Sequence, residues 1–113
     1  MRADASKQVK MGVCDPVYRK LISNMLDEHL KDPMPSALVF VNSFDFEKEE
    51  IEEYMENHKI YAEVFEIDRM RSEERLEYLN CLNAEYGTKQ LPIIFLKDKF
   101  IGDFKKLQVH QTS

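Results

Sequence analysis

Apolar positions recur with two spacings along this chain, and the places where one spacing gives way to the other divide it into elements. From Asp15 onward, Val17, Leu21, Ile22, Met25, Leu26 and Leu30 fall at helical spacing and predict one amphipathic helix. Asp15 can cap it, Pro16 suits a first helical position where no N–H is needed, and Pro33 and Pro35 end it. Residues 37–41 form an unbroken apolar run rich in β-branched and aromatic side chains, which predicts a central strand covered on both faces. A turn at Asn42-Ser43-Phe44 leads into a second helix over 45–58, with Ile51, Tyr54, Met55 and His58 inward. Residues 60–67 predict a second strand that packs through Val64, Phe65 and Ile67. After a charged connection at 68–71, Ser72 is placed to cap a third helix with Leu76, Leu79 and Leu82 on its apolar face, and Gly87 suits its end. Residues 91–96 predict a third strand opening on Pro92. Lys97-Asp98 forms a tight turn into a fourth strand that ends at Gly102, and 103–110 a last short helix.

Strands joined through a helix should pair in parallel, and the last two should form a hairpin, so the fold class is α/β with a mixed sheet. Residues 1–14 are polar and aperiodic and read as a flexible tail; 15–113 then make one domain. The net charge of −5 argues against nucleic acid as a partner, and no apolar run reaches membrane-spanning length. Without a long apolar leader the expected compartment is the reducing cytoplasm. Cys14 and Cys81 stand far apart with no C-x-x-C spacing, so neither a disulfide framework nor a zinc site is expected; each reads as a small core or incidental thiol. His29, His58 and His110 fall singly, so no metal site is expected.

Local strings in this order resemble the glutaredoxin branch of the thioredoxin superfamily from about residue 15 to 110. A family strand ending in Val-Phe precedes a Lys-x-Tyr-Cys-Pro-Tyr-Cys loop; here Val39-Phe40 precedes Asn42-Ser43-Phe44-Asp45-Phe46-Glu47-Lys48. A family Tyr-Glu-Val-x-Glu-Leu-Asp is matched by Ala62-Glu63-Val64-Phe65-Glu66-Ile67-Asp68. Thr-Gly-x-x-Thr-Val-Pro corresponds to Tyr86-Gly87-Thr88-Lys89-Gln90-Leu91-Pro92, and the strand that ends in Gly-Gly corresponds to 94–103, ending in Gly102-Asp103. The resemblance implies a four-stranded mixed sheet of order 2-1-3-4 flanked by helices, with an extra N-terminal helix. It also implies a cis peptide bond at Pro92, which turns the polar backbone of Leu91 toward a ligand beside the loop.

The departures from the family pattern bear on the chemistry. Glutaredoxins use a thiolate at a helix start, where the dipole and free N–H groups lower its pKa. The resemblance places Asp45 at the nucleophile position and Lys48 at the resolving position. A carboxylate gains from the same helix start but forms no mixed disulfide, so the expectation is a redox-inactive domain rather than an enzyme. The family's loop lysine is replaced by Asn42, its second glycine by Asp103, and its following acidic position by Lys105 or Lys106. At an effective dielectric near 20, two like charges about 4 Å apart repel by roughly 4 kcal/mol, so Asp45 opposes glutathione, the one cofactor the resemblance suggests. Gln90 and Lys89 could still offer polar contact, which keeps glutathione binding as an alternative. A second alternative is residual thiol–disulfide exchange through Cys14 carried on the tail.

The expected role is therefore a protein-binding or regulatory module. Its candidate groove comprises Phe44, Phe46, Gln90, Leu91, Pro92, Gly102 and Asp103, with Phe44 and Phe46 able to join Leu91 and Phe104 in an apolar patch for an extended peptide. Asp45 and Lys48, at i and i+3, read as a cap and its neighbour rather than a catalytic pair. The seven carboxylates between Asp45 and Asn57 read as a solvated helix face that can also meet a basic partner. Glutaredoxins continue with a further terminal helix, so association through the surface it leaves open is a further expectation.

Overall fold

The computed structural model describes residues 13–112. Helix α1 (Pro16–Lys31) precedes strand β1 (Ser36–Val41), α2 (Glu47–Asn57) and β2 (Tyr61–Glu66). A 3-10 turn (Ile67–Arg69) leads into α3 (Ser72–Tyr86), followed by β3 (Ile93–Leu96), β4 (Lys99–Gly102) and α4 (Phe104–Thr112). The tail expected over 1–14 lies mostly outside the described residues.

β1 is the spine. All six of its residues are buried, as the unbroken apolar run predicts. It pairs in parallel with β2 and antiparallel with β3, which forms an antiparallel hairpin with β4. The sheet order is β2-β1-β3-β4, the expected arrangement.

The two-residue period of a strand then assigns the faces. Leu38 and Phe40 point to one side, where Ile22 and Leu26 of α1 and Leu82 of α3 join Ile93 and Phe95. Ala37, Val39 and Val41 point to the other, where Ile51 and Met55 of α2 and Phe104 and Leu107 of α4 join Ile94. Burying each such side chain stabilises the fold by about 1.5–3 kcal/mol. Because α4 lays Phe104 and Leu107 on the sheet, β1 and β3 are covered on both faces. The apolar surface left at this corner is half-buried Ile101 and exposed Val109.

Four expectations need correction. The apolar stripe predicted for α1 is rotated: Val17, Leu21 and Leu30 are exposed, and Tyr18, Ile22, Met25, Leu26 and His29 face inward. A histidine completes that stripe because its ring nitrogens are met. Nε2 lies 2.7 Å from the Glu63 carboxylate and Nδ1 lies 3.0 Å from the Ser36 hydroxyl. At the end of α2, His58 is exposed and stacks on Tyr54 instead of packing inward. In α3, Ser72 is already the first helical residue and makes no cap; Arg71 precedes it.

The fourth correction is the largest. Cys14 and Cys81 are bonded to each other. The Asp15 carboxylate accepts from Val17 N–H and fixes the start of α1, which lies against α3, so residues 67 apart in sequence have Cα atoms 4.3 Å apart. Sequence separation carried no information about that distance.

Candidate functional site

The strand–helix junction after β1 is built by hydrogen bonds that its own residues supply. Asp45 N–H donates to the Asn42 carbonyl at 3.0 Å and closes the turn. Ser43 donates twice to Asp68, from its N–H at 2.7 Å and its hydroxyl at 2.6 Å. These two bonds tie the junction to the turn after β2, and they hold the Asp68 carboxyl below its ordinary pKa by stabilising the charged form.

Asp45 is the working cap of α2. Its Oδ1 accepts from Glu47 N–H at 2.9 Å and its carbonyl accepts from Lys48 N–H at 3.0 Å, satisfying donors that a helix start leaves open. Lys48 turns elsewhere: its ammonium lies 3.5 Å from Glu52 and 3.6 Å from Glu66, so it fastens α2 to β2. Phe44 and Phe46, on either side of Asp45, are 77% and 83% exposed.

Beside this junction lies a groove of about 490 Å³. The end of α3 and the connection that follows contribute Tyr86, Gly87, Thr88, Gln90, Leu91 and Pro92. β4 contributes Phe100 and Gly102, the start of α4 Asp103 and Lys106, and α2 its first residue, Glu47. The Leu91–Pro92 peptide bond is cis. Thr88 Oγ1 accepts from Gln90 N–H at 3.1 Å and shapes the approach to it.

Gly102 is required where it stands. Its φ is +118°, and a Cβ there would sit 2.9 Å from Cδ of Lys106, whose stem lies over it. Asp103 caps α4, with Oδ1 accepting from Lys106 N–H at 2.9 Å and its carbonyl from Leu107 N–H at 3.0 Å.

The groove is lopsided in charge. Glu47 and Asp103 line it and Lys106 is the cation among its lining residues. Partial burial raises the Glu47 carboxyl above its ordinary pKa, and Asp45, Glu50 and Asp103 add to that. The anionic character expected from Asp45 alone is therefore a property of several carboxylates.

Of the residues expected to form the site, Gln90, Leu91, Pro92, Gly102 and Asp103 come together on the groove. Asp45 stands behind Glu47 as a cap, and Phe44 and Phe46 project to solvent outside the lining. Glu47, Tyr86, Gly87, Thr88 and Phe100 line the groove and were not foreseen; Lys106 was named only as one of two candidates for a reversed charge at the family's acidic position. A signal existed for Lys106, which follows Gly102 by one helical turn. Glu47 was indistinguishable from the rest of its acidic run.

Neither cysteine lines the groove. Cys14 and Cys81 are buried in the cluster on the opposite face of the sheet from α2 and α4. Among the described residues no His, Cys, Asp and Glu side chains cluster as metal ligands. Ser36, His29 and Glu63 stand in a line that a hydrolase could use, but the Ser36 hydroxyl is buried and donates to the His29 carbonyl at 3.2 Å. That line ties the end of α1 to the sheet.

No protein-family model matches the chain, and no curated protein matches it in sequence. Solved structures do. Wheat glutaredoxin superposes with a TM-score of 0.73 over 89% of this chain and 88% of its own, at 16% identity. The holo form of glutaredoxin C1 from Populus tremula x tremuloides gives a TM-score of 0.69 over 86% and 89%, also at 16% identity. The buckwheat glutaredoxin–glutathione complex gives 0.63 over 87% and 86%, at 13% identity. At such identities the likeness establishes the fold: this chain has the glutaredoxin-type thioredoxin fold. No helix among the described residues is long and apolar enough to cross a membrane.

Proposed function

We propose that this chain is a redox-inactive glutaredoxin-like domain that binds another protein through the surface around Phe44, Phe46 and Pro92. The observation that carries the reading is Asp45. Its carboxylate holds the helix start where the fold would present a thiolate, and Lys48, at the second cysteine position of the resemblance, is engaged with Glu52 and Glu66. The exposed rings of Phe44 and Phe46 beside it offer apolar aromatic contact area of the kind protein interfaces bury. Glutathione fits less well, because a groove lined by Glu47 and Asp103 would oppose a ligand carrying two carboxylates. Thiol exchange through Cys14 gains no support, since that sulfur is buried and bonded to Cys81.

The test has two arms. Glutathione-coupled reduction of a small disulfide should be at background for the wild type and for a Cys14→Ser, Cys81→Ser variant. Because the state of the Cys14–Cys81 bond sets whether either sulfur is a thiol, the wild type is assayed both oxidised and reduced. In affinity purification followed by mass spectrometry, a partner held by the wild type should be lost with a Phe44→Ala, Phe46→Ala variant that retains the wild-type circular dichroism. Robust turnover by the wild type or by the cysteine-free variant, or partners unmoved by removal of both rings, would overturn the reading.

A further inference from the structure

We propose that the outer edge of β4 and the adjoining side of α4 form a second docking site, which takes an acidic extended segment of a partner protein as an added strand. A trough of about 520 Å³ runs there, lined by Lys99, Phe100 and Ile101 from β4 and by Lys105, Lys106, Val109 and His110 from α4. Successive residues of a strand point to opposite faces. Phe100 accordingly packs with the cluster under α1 and α3, and Ile101 with the cluster under α2 and α4. A trough that touches Lys99, Phe100 and Ile101 together must follow the strand's edge, where backbone N–H and C=O groups are presented. β4 is the last strand in the order β2-β1-β3-β4, so among the described residues that edge has no neighbouring strand.

The lining also states the occupant's charge. Lys99, Lys105, Lys106 and His110 surround Phe100, Ile101 and Val109, and no carboxylate is among them, in a chain whose net charge is −5. A lysine on an edge strand also serves to discourage unwanted pairing. That role accounts for Lys99. It does not account for Lys105, Lys106 and His110, which come from the helix and overlook the same edge. An extended segment with acidic side chains on one side and apolar ones on the other meets all three features: the free edge, the cations, and the exposed Val109 beside Ile101.

The site does not use Phe44, Phe46 or Pro92, so it stands or falls apart from the reading above. The probe is a fluorescently labelled peptide of about ten residues, the span of a long strand, alternating Glu and Val; the control alternates Lys and Val. Anisotropy with the full chain should show saturable, salt-sensitive binding of the Glu peptide and none of the Lys peptide. Chemical-shift changes should centre on the backbone amides of β4. A Lys99→Glu, Lys105→Glu variant, chosen because neither residue lines the groove, should lose about tenfold or more in affinity while keeping its native spectrum. No binding up to about 1 mM, equal binding of both peptides, an unaffected variant, or shifts centred on Leu91 would each overturn the proposal. So would self-association of the chain that competes the peptide away, since the edge would then belong to a second copy.

Discussion

On one face of the sheet, α1 and α3 bring Tyr18, Tyr78 and Tyr86 against Phe40, Phe95 and Phe100, in a cluster whose touching rings lie between 4.9 and 6.4 Å apart, edge-on, tilted or stacked. The Cys14–Cys81 bond is buried in the same cluster. On the other face, α2 and α4 meet the same strands with Ile51, Met55 and Leu107. They are held at their starts by Asp45 and Asp103 and at one flank by Lys48. Both binding surfaces argued above draw on the second pair of helices. They sit on the face whose helices are held by apolar packing and helix caps, with no covalent link among the described residues, the pattern expected of elements that must adjust to a partner.

The comparison can be broken most sharply at the disulfide. Closing a loop of this length should stabilise the fold by about 4 kcal/mol on a chain-entropy argument. Urea midpoints under oxidising and reducing conditions should therefore lie far apart, and coincident midpoints would remove the basis for calling one face locked. A smaller effect is expected from the caps. Asp45→Ala should cost about 1 kcal/mol. Hydrogen exchange should show the loss concentrated in α2, with α3 unchanged; uniform loosening of both faces would contradict the division.

The finest test is titration, because the site holds two carboxyls shifted in opposite senses. Glu47 has its folded pKa raised, so its charge opposes folding at neutral pH, and that cost fades as pH falls through the raised value. E47Q should raise the melting temperature slightly near pH 7, with the gain closing in acid. Asp68 has its folded pKa lowered, so its contribution is present above the ordinary carboxyl value and is lost as pH falls through the lowered one. D68N should reverse the sign of the E47Q result at neutral pH. Two variants that shift stability in the same direction would show that the carboxyls respond to overall charge and not to their own surroundings.

Much of the fold was legible because its central elements obey simple periodicities. The run 37–41 could only be a doubly covered strand, and Gly87, Pro92 and Gly102 each stand where backbone geometry leaves few choices, with φ of +81° at Gly87. Gln90, Leu91, Pro92, Gly102 and Asp103 were named through the resemblance to glutaredoxins rather than through periodicity, and they line one groove. The rest depended on tertiary pairing. His29 turned the stripe of α1 inward only because Ser36 and Glu63, on other elements, satisfy its ring. Glu47 became a groove residue only because Asp103 and Gly102 lie across from the start of α2, and Cys14 found Cys81 only once α1 lay against α3. A side chain's company cannot be counted along the chain.

The bond between Cys14 and Cys81 has a topological meaning as well as an energetic one. It closes a ring that contains α1, β1, α2, β2 and most of α3, and it leaves β3, β4 and α4 outside as an appendage joined to the ring by pairing with β1. The groove lies across that seam, with Glu47 on the ring and Pro92, Gly102 and Asp103 on the appendage. The shape offered to a ligand therefore depends on how β3 is seated against β1, a pairing the disulfide does not enforce.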